Sequence, residues 1–101
     1  MPLYKYARFD VRDGARVDAE RVMRDLADRI RKELPDYSWT TYRDPASPGS
    51  YTSWIRADDR KADERGEKLV REVVEPLATA PIVMTECELV TSSDLQRRHR
   101  R

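Results

Sequence analysis

The chain has 101 residues, the size of one domain and too few for a second with its own core. Hydrophobic and charged residues each make up 39%, so the core is lean and the composition calls for further burial against a partner subunit. Twenty basic groups face nineteen acidic ones, and four of the arginines lie in the last five residues; residues 1–96 are therefore net acidic, which argues against nucleic acid or a membrane surface as partner.

Residues 3–12 alternate as a strand, with Leu3, Ala7, Phe9 and Val11 on one face and Tyr4, Tyr6, Arg8 and Asp10 on the other. Asp13-Gly14 closes it as a turn. Asp18 has the chemistry of an N-cap, and Ala19, Val22, Met23, Leu26, Ile30 and Leu34 then recur at helical spacing until Pro35. Residues 37–43 are aromatic and β-branched, hence a second strand. The turn formers Asp44-Pro45-Ala46-Ser47-Pro48-Gly49 join it to a third over 50–56, as a hairpin. A second helix is predicted from about Asp59, with Ala62, Leu69, Val70, Val73 and Val74 on its apolar face and Pro76 near its end. Residues 81–91 are expected to form the last strand. Domain residues 1–92 then give way to a disordered basic tail, 93–101, with no apolar periodicity.

The inventory excludes most familiar chemistry. One cysteine, Cys87, forms no intrachain disulfide, and no stretch approaches the ~18 apolar residues of a membrane span, so a cytoplasmic protein is expected. The single histidine, His99, falls in the tail, which leaves the domain without a metal site and without Ser/His/Asp or Cys/His catalysis. Gly14, Gly49 and Gly66 are scattered and make no phosphate loop.

The element order β-α-β-β-α-β predicts an α+β, ferredoxin-like fold: an antiparallel sheet with two helices on one face. The other face should be polar if it meets water. Here both faces carry large apolar groups: Tyr4 and Tyr6 stand opposite Phe9, Tyr42 opposite Trp39, and Trp54 opposite Tyr51 and Ile55. An exposed aromatic face of that kind marks an interface or a ligand site, and a homodimer joined sheet to sheet is expected.

On these residues the chain resembles the antibiotic biosynthesis monooxygenase family, small dimeric α+β barrel proteins. The resemblance covers about residues 4–90 and rests on Tyr42-Arg43-Asp44-Pro45, on Ser47-Pro48-Gly49-Ser50-Tyr51 between the middle strands, and on Glu75-Pro76-Leu77-Ala78 leading through Thr79, Ala80 and Pro81 into the last strand. The chain departs from the family's Glu-Arg-Trp stretch, having Ile55-Arg56-Ala57, and has Asp63-Glu64-Arg65-Gly66 where many members carry a histidine. The haem-degrading branch of the same fold relies on an asparagine, a tryptophan and a histidine. With no asparagine in the chain and no histidine in the domain, that activity is not expected.

The resemblance implies a cofactor-free oxygenase of secondary metabolism, without metal or flavin, acting on an aromatic polyketide or other phenolic polycycle in a pocket between sheet and helices. An ionised phenolic substrate can itself reduce oxygen, so the protein need only enclose it, exclude water and stabilise negative charge. Arg56 and Arg8, each within a predicted strand, are the candidate catalytic residues; exposed pairing with Asp58 or Asp10 is the plainer alternative for them. Tyr4, Tyr6, Trp39, Tyr42, Tyr51 and Trp54 are the candidate substrate-binding walls, with dimer packing as the competing use. The alternative function is a non-oxygenase of the same barrel type, a polyketide cyclase or a non-catalytic accessory or binding protein. RNA recognition through strand aromatics is disfavoured by the acidic domain and by the missing signature on the third strand.

Overall fold

A computed structural model describes residues 1–93. The elements run β1 (Leu3–Asp10), α1 (Arg16–Glu33), β2 (Tyr37–Arg43), β3 (Ser50–Ala57), α2 (Arg60–Val74), a short 3₁₀ turn (Glu75–Leu77) and β4 (Val83–Cys87). The four strands form one sheet in the order β2-β3-β1-β4, antiparallel at every junction. This is the ferredoxin-like β-α-β-β-α-β arrangement that the pattern predicts. The basic tail, apart from Ser93, lies outside the described residues. No described helix is long and apolar enough to cross a membrane.

Strand parity builds the core. Lys5, Ala7 and Phe9 of β1 pair in register with Ile55, Ser53 and Tyr51 of β3, and all six are buried beneath the helices. Tyr37 and Trp39 of β2 extend that face. Ala19, Met23, Leu26 and Ile30 of α1, with Ala62, Val70 and Val74 of α2, fill the space above it. Side chains of the opposite parity form an open face, on which Tyr6, Tyr42, Trp54 and Val83 are exposed.

The turns follow their residues. In the hairpin, Asp44 Oδ1 accepts from the Ala46 amide at 2.9 Å, and Gly49 takes the positive φ of +95° that a side chain would resist. Asp59 caps α2 by accepting from the Ala62 amide at 2.8 Å.

Three boundaries differ from expectation. α1 starts at Arg16 with Ala15 at its cap, because the Asp13-Gly14 turn closes with the Ala15 amide on the Arg12 carbonyl. Asp18 consequently lies in the first turn, paired with Arg21 rather than capping. β1 stops at Asp10, and the amides of Val11 and Arg12 turn to Gly49 and Leu77. β4 is shorter than 81–91 at both ends. Pro81 has no N–H to offer, and Ile82 spends its amide on Glu75 and its carbonyl on Arg71. At the other end the register pairs Cys87 with Tyr4, close to where β1 begins, so little strand remains to pair beyond it.

Candidate functional site

Period two along β2 puts Trp39, Thr41 and Arg43 on the helix side of the sheet. Helical spacing on α1 lines up Glu20, Met23, Arg24 and Ala27 as one stripe. The two rows face each other across a groove of about 370 Å³ at the β2 edge, with Tyr51 of β3 at its floor. Tyr51 is stacked on Phe9 at a ring separation of 5.6 Å, which fixes its phenol.

Glu20 organises the groove. It accepts from Tyr51 Oη at 2.7 Å and from Arg43 Nε at 2.7 Å, while Arg43 Nη2 reaches its second oxygen at 2.5 Å. Arg24 approaches it at 3.5 Å. The Arg43 hydrogen bond, reinforced by that of Tyr51, draws the Glu20 carboxyl down to about 2. Burial, then the hydrogen bond to Glu20, pushes the Tyr51 phenol up to about 12. At neutral pH Glu20 is thus a carboxylate and Tyr51 a phenol, held as a fixed donor–acceptor pair. Neither exchanges a proton readily; together they shape the groove and set its charge. Deeper in, Thr41 and the buried Ser53 join hydroxyls at 2.7 Å, and the buried Trp39 Nε1 has no hydrogen-bond partner among the described residues.

The structure divides the sequence-predicted residues between two faces. Trp39 and Tyr51 line the groove. Tyr4, Tyr6, Tyr42 and Trp54 stand on the open face with Arg8 and Arg56, so the sheet lies between them and the groove. On that face Tyr6 and Trp54 meet at 5.8 Å, and Arg56 bonds Asp58 at 2.5 Å. Tyr4, Trp54 and Arg56 border a second, more apolar hollow of about 340 Å³ beside Leu89 and Val90. A pocket between sheet and helices accordingly draws its arginines from elsewhere: Arg43 and Arg24 in place of Arg56 and Arg8.

Two further groups escaped the sequence reading. Glu20 and Arg43 carried a signal, since Glu20 shares the stripe of Met23 and Ala27, and Arg43 shares parity with Trp39. Lys5 likewise shares parity with the buried Ala7 and Phe9. It is buried and donates to Asp63 at 2.7 Å and Glu67 at 2.8 Å. Burial works against its charge, but the hydrogen bonds to Asp63 and Glu67 prevail and its pKa is raised.

No family model matches the chain, and no curated protein does so. Among solved structures, one of an antibiotic biosynthesis monooxygenase is similar with a TM-score of 0.72 at 17% identity, over 88% of this chain and 99% of that one. SnoaB, a cofactor-independent oxygenase from Streptomyces nogalater, gives 0.71 at 18% identity, over 91% and 96%. A protein from Mycobacterium tuberculosis gives 0.73 at 20% identity, over 92% and 99%. The chain therefore has the ferredoxin-like α+β fold of the antibiotic biosynthesis monooxygenase structures, the fold that its sequence resemblance implies.

Proposed function

We propose that this protein is a small cofactor-free oxygenase acting on an aromatic polyketide or another phenolic polycycle in secondary metabolism, with the groove between α1 and the β2–β3 face as its site. The observation that carries the reading is the groove itself. Trp39, Met23, Ala27 and Tyr51 give the groove an apolar lining, and Arg43 and Arg24 stand at its mouth, in a fold shared with a cofactor-independent oxygenase. For an anthrone, the ionised carbon passes electrons to oxygen, a C–O bond forms there, and loss of water leaves a carbonyl; one O₂ yields one new C=O and one water. The chain's part is to hold the polycycle against Trp39, keep water off it and place guanidinium charge beside the developing oxyanion. Tyr51 donates its hydrogen bond to Glu20 and keeps its proton, so it orients Glu20 and Arg43 rather than reacting.

The open face supports the second half of the proposal, a homodimer joined through Tyr6, Tyr42, Trp54 and Val83. Arg8 and Arg56 then belong to the interface region.

One observation favours the non-catalytic accessory or binding protein among the alternatives: Glu20, the carboxylate of the groove, is held ionised far below neutral pH and is a poor general base. Oxygen uptake with an anthrone in air at neutral pH separates the two. Acceleration over buffer that falls by ~10²–10³ in Arg43→Ala, as on losing one oxyanion donor, and that survives in Arg56→Ala supports the oxygenase. No acceleration with any of several phenolic polycycles leaves the accessory reading.

A further inference from the structure

The mouth of the groove is charged out of proportion to the domain. A third hollow, also of about 340 Å³ but on the helix side of the sheet, adjoins it and shares Glu20, Arg24 and Arg43, adding Arg16 and Val17 from the first turn of α1. Three guanidiniums thus border the two hollows against one carboxylate, Glu20, in a chain whose residues 1–96 are net acidic. Glu20 does not neutralise them. Two of its bonds come from Arg43, one from Tyr51 and a long one, at 3.5 Å, from Arg24, so a single carboxylate is shared among them. Arg43 spends Nε and Nη2 on Glu20, leaving the Nη1 edge of its fork. Ala15, at the cap of α1, supplies no side-chain acceptor, so the positive end of the 18-residue helix dipole adds to the same rim.

We infer that the groove selects an aromatic ligand bearing an anionic substituent, a carboxylate in the first instance, with its ring system on Trp39 and Met23 and its anion between Arg16, Arg24 and Arg43. Guanidinium forks match a carboxylate geometrically, and charge-assisted hydrogen bonds are about twice as strong as neutral ones. The apolar bed alone would bind neutral polycycles equally well, and the surplus of guanidinium over carboxylate at the rim is what adds the selection. The inference rests on the groove being the ligand site, and it specifies the substrate class.

Calorimetric titration of the full chain with 9-anthracenecarboxylate and with the neutral 9-anthracenemethanol tests it in the absence of oxygen. The acid should bind about tenfold more tightly at low salt, as one retained charge-assisted contact would give, and the advantage should shrink at high salt. Arg24→Gln and Arg16→Gln, both exposed positions whose loss leaves the core intact, should each lower affinity for the acid and leave that for the alcohol alone. Equal affinities overturn the inference, as does a preference for the acid that persists in Arg16→Gln/Arg24→Gln/Arg43→Gln or is lost instead in Arg56→Gln on the open face. Acid preference without oxygen uptake upholds the inference while removing the oxygenase; oxygen uptake without acid preference does the reverse.

Discussion

Lys5 Nζ lies 2.7 Å from Asp63 Oδ2, with both side chains more than nine-tenths buried. The pair ties the central strand β1 to the first turn of α2, and it continues along the helix. Glu67 takes a second bond from Lys5 and one from Arg71, and Arg71 in turn holds Glu75 and the Ile82 carbonyl. Residues 63, 67, 71 and 75 fall at successive four-residue steps, so one stripe of α2, continued by the first residue of the 3₁₀ turn, carries the ladder.

Removing one member of such a pair should cost more than the pair contributes. In Lys5→Met, Asp63 loses its buried cation, and its Oδ1 already has no partner among the described residues. Urea unfolding should show a loss of about 3–5 kcal/mol. Lys5→Met/Asp63→Asn, which removes the orphaned charge, should recover part of it. A double variant less stable than Lys5→Met would contradict this account.

At Gly66, α2 packs directly against the Tyr37 ring of β2. A Cβ there would fall 2.2 Å from the Tyr37 ring, which is buried and has no room to retreat. Gly66→Ala should therefore destabilise by about 1–3 kcal/mol, despite the better helix propensity of alanine. Trimming the ring in Gly66→Ala/Tyr37→Leu should make the alanine cheaper than it is in the wild-type background. Additive costs in the double-mutant cycle would show that the contact is not the cause.

Much of this architecture is legible in the sequence, and the gaps have physical reasons. The element order, the hairpin from Asp44 to Gly49 and the start of α2 near Asp59 depend on local chemistry, which neighbouring residues spell out; which acid caps a helix does not, since Asp18 falls inside the first turn of α1 while Asp59 caps α2. Parity within one strand is legible too, and it sorts Tyr4 and Tyr6 from Phe9 correctly. What the sequence leaves dark is register between elements. Lys5 and Asp63 stand 58 residues apart and meet only through the fold. The six aromatic candidates look like one set because nothing local says that Trp39 and Tyr51 share a face while Tyr4, Tyr6, Tyr42 and Trp54 share the other. Arg56 is a pocket candidate by its place within a strand; its parity sends it to the opposite side, where it meets Asp58.

Glu20 should make acid stability measurable at one position. Its folded pKa of about 2 lies below the ordinary carboxyl value of 4.5, so its bonds contribute stability that is full above about pH 5 and lost as pH falls through both values. Glu20→Gln abolishes that contribution at every pH. The melting temperature of wild type should exceed that of Glu20→Gln at pH 6, and the difference should shrink steadily toward pH 2. A difference that stays constant between pH 6 and pH 2.5 would mean that Glu20 is not held ionised by Arg43 and Tyr51.

The open face yields the last expectation, a dimer of twice the 11.9 kDa chain mass. Tyr42, Trp54 and Val83 are each at least half exposed, and Tyr6 stands against Trp54, so one side of the sheet presents large aromatic and aliphatic groups to water. A sheet covered on one face only by helices hides such groups when a second sheet packs against it. Sedimentation at micromolar concentration should give the dimer mass for wild type. A charge buried at the centre of that contact without a partner is costly, so Trp54→Glu should shift the protein toward monomer. Arg24→Gln, on the helix side of the sheet, should leave the dimer unchanged. Because Trp54 faces away from the core, the Trp54→Glu chain should retain the far-ultraviolet circular dichroism of wild type, which separates lost association from lost folding. A wild-type monomer at these concentrations, or a Trp54→Glu variant that still sediments as a dimer, would place the interface somewhere other than the open face.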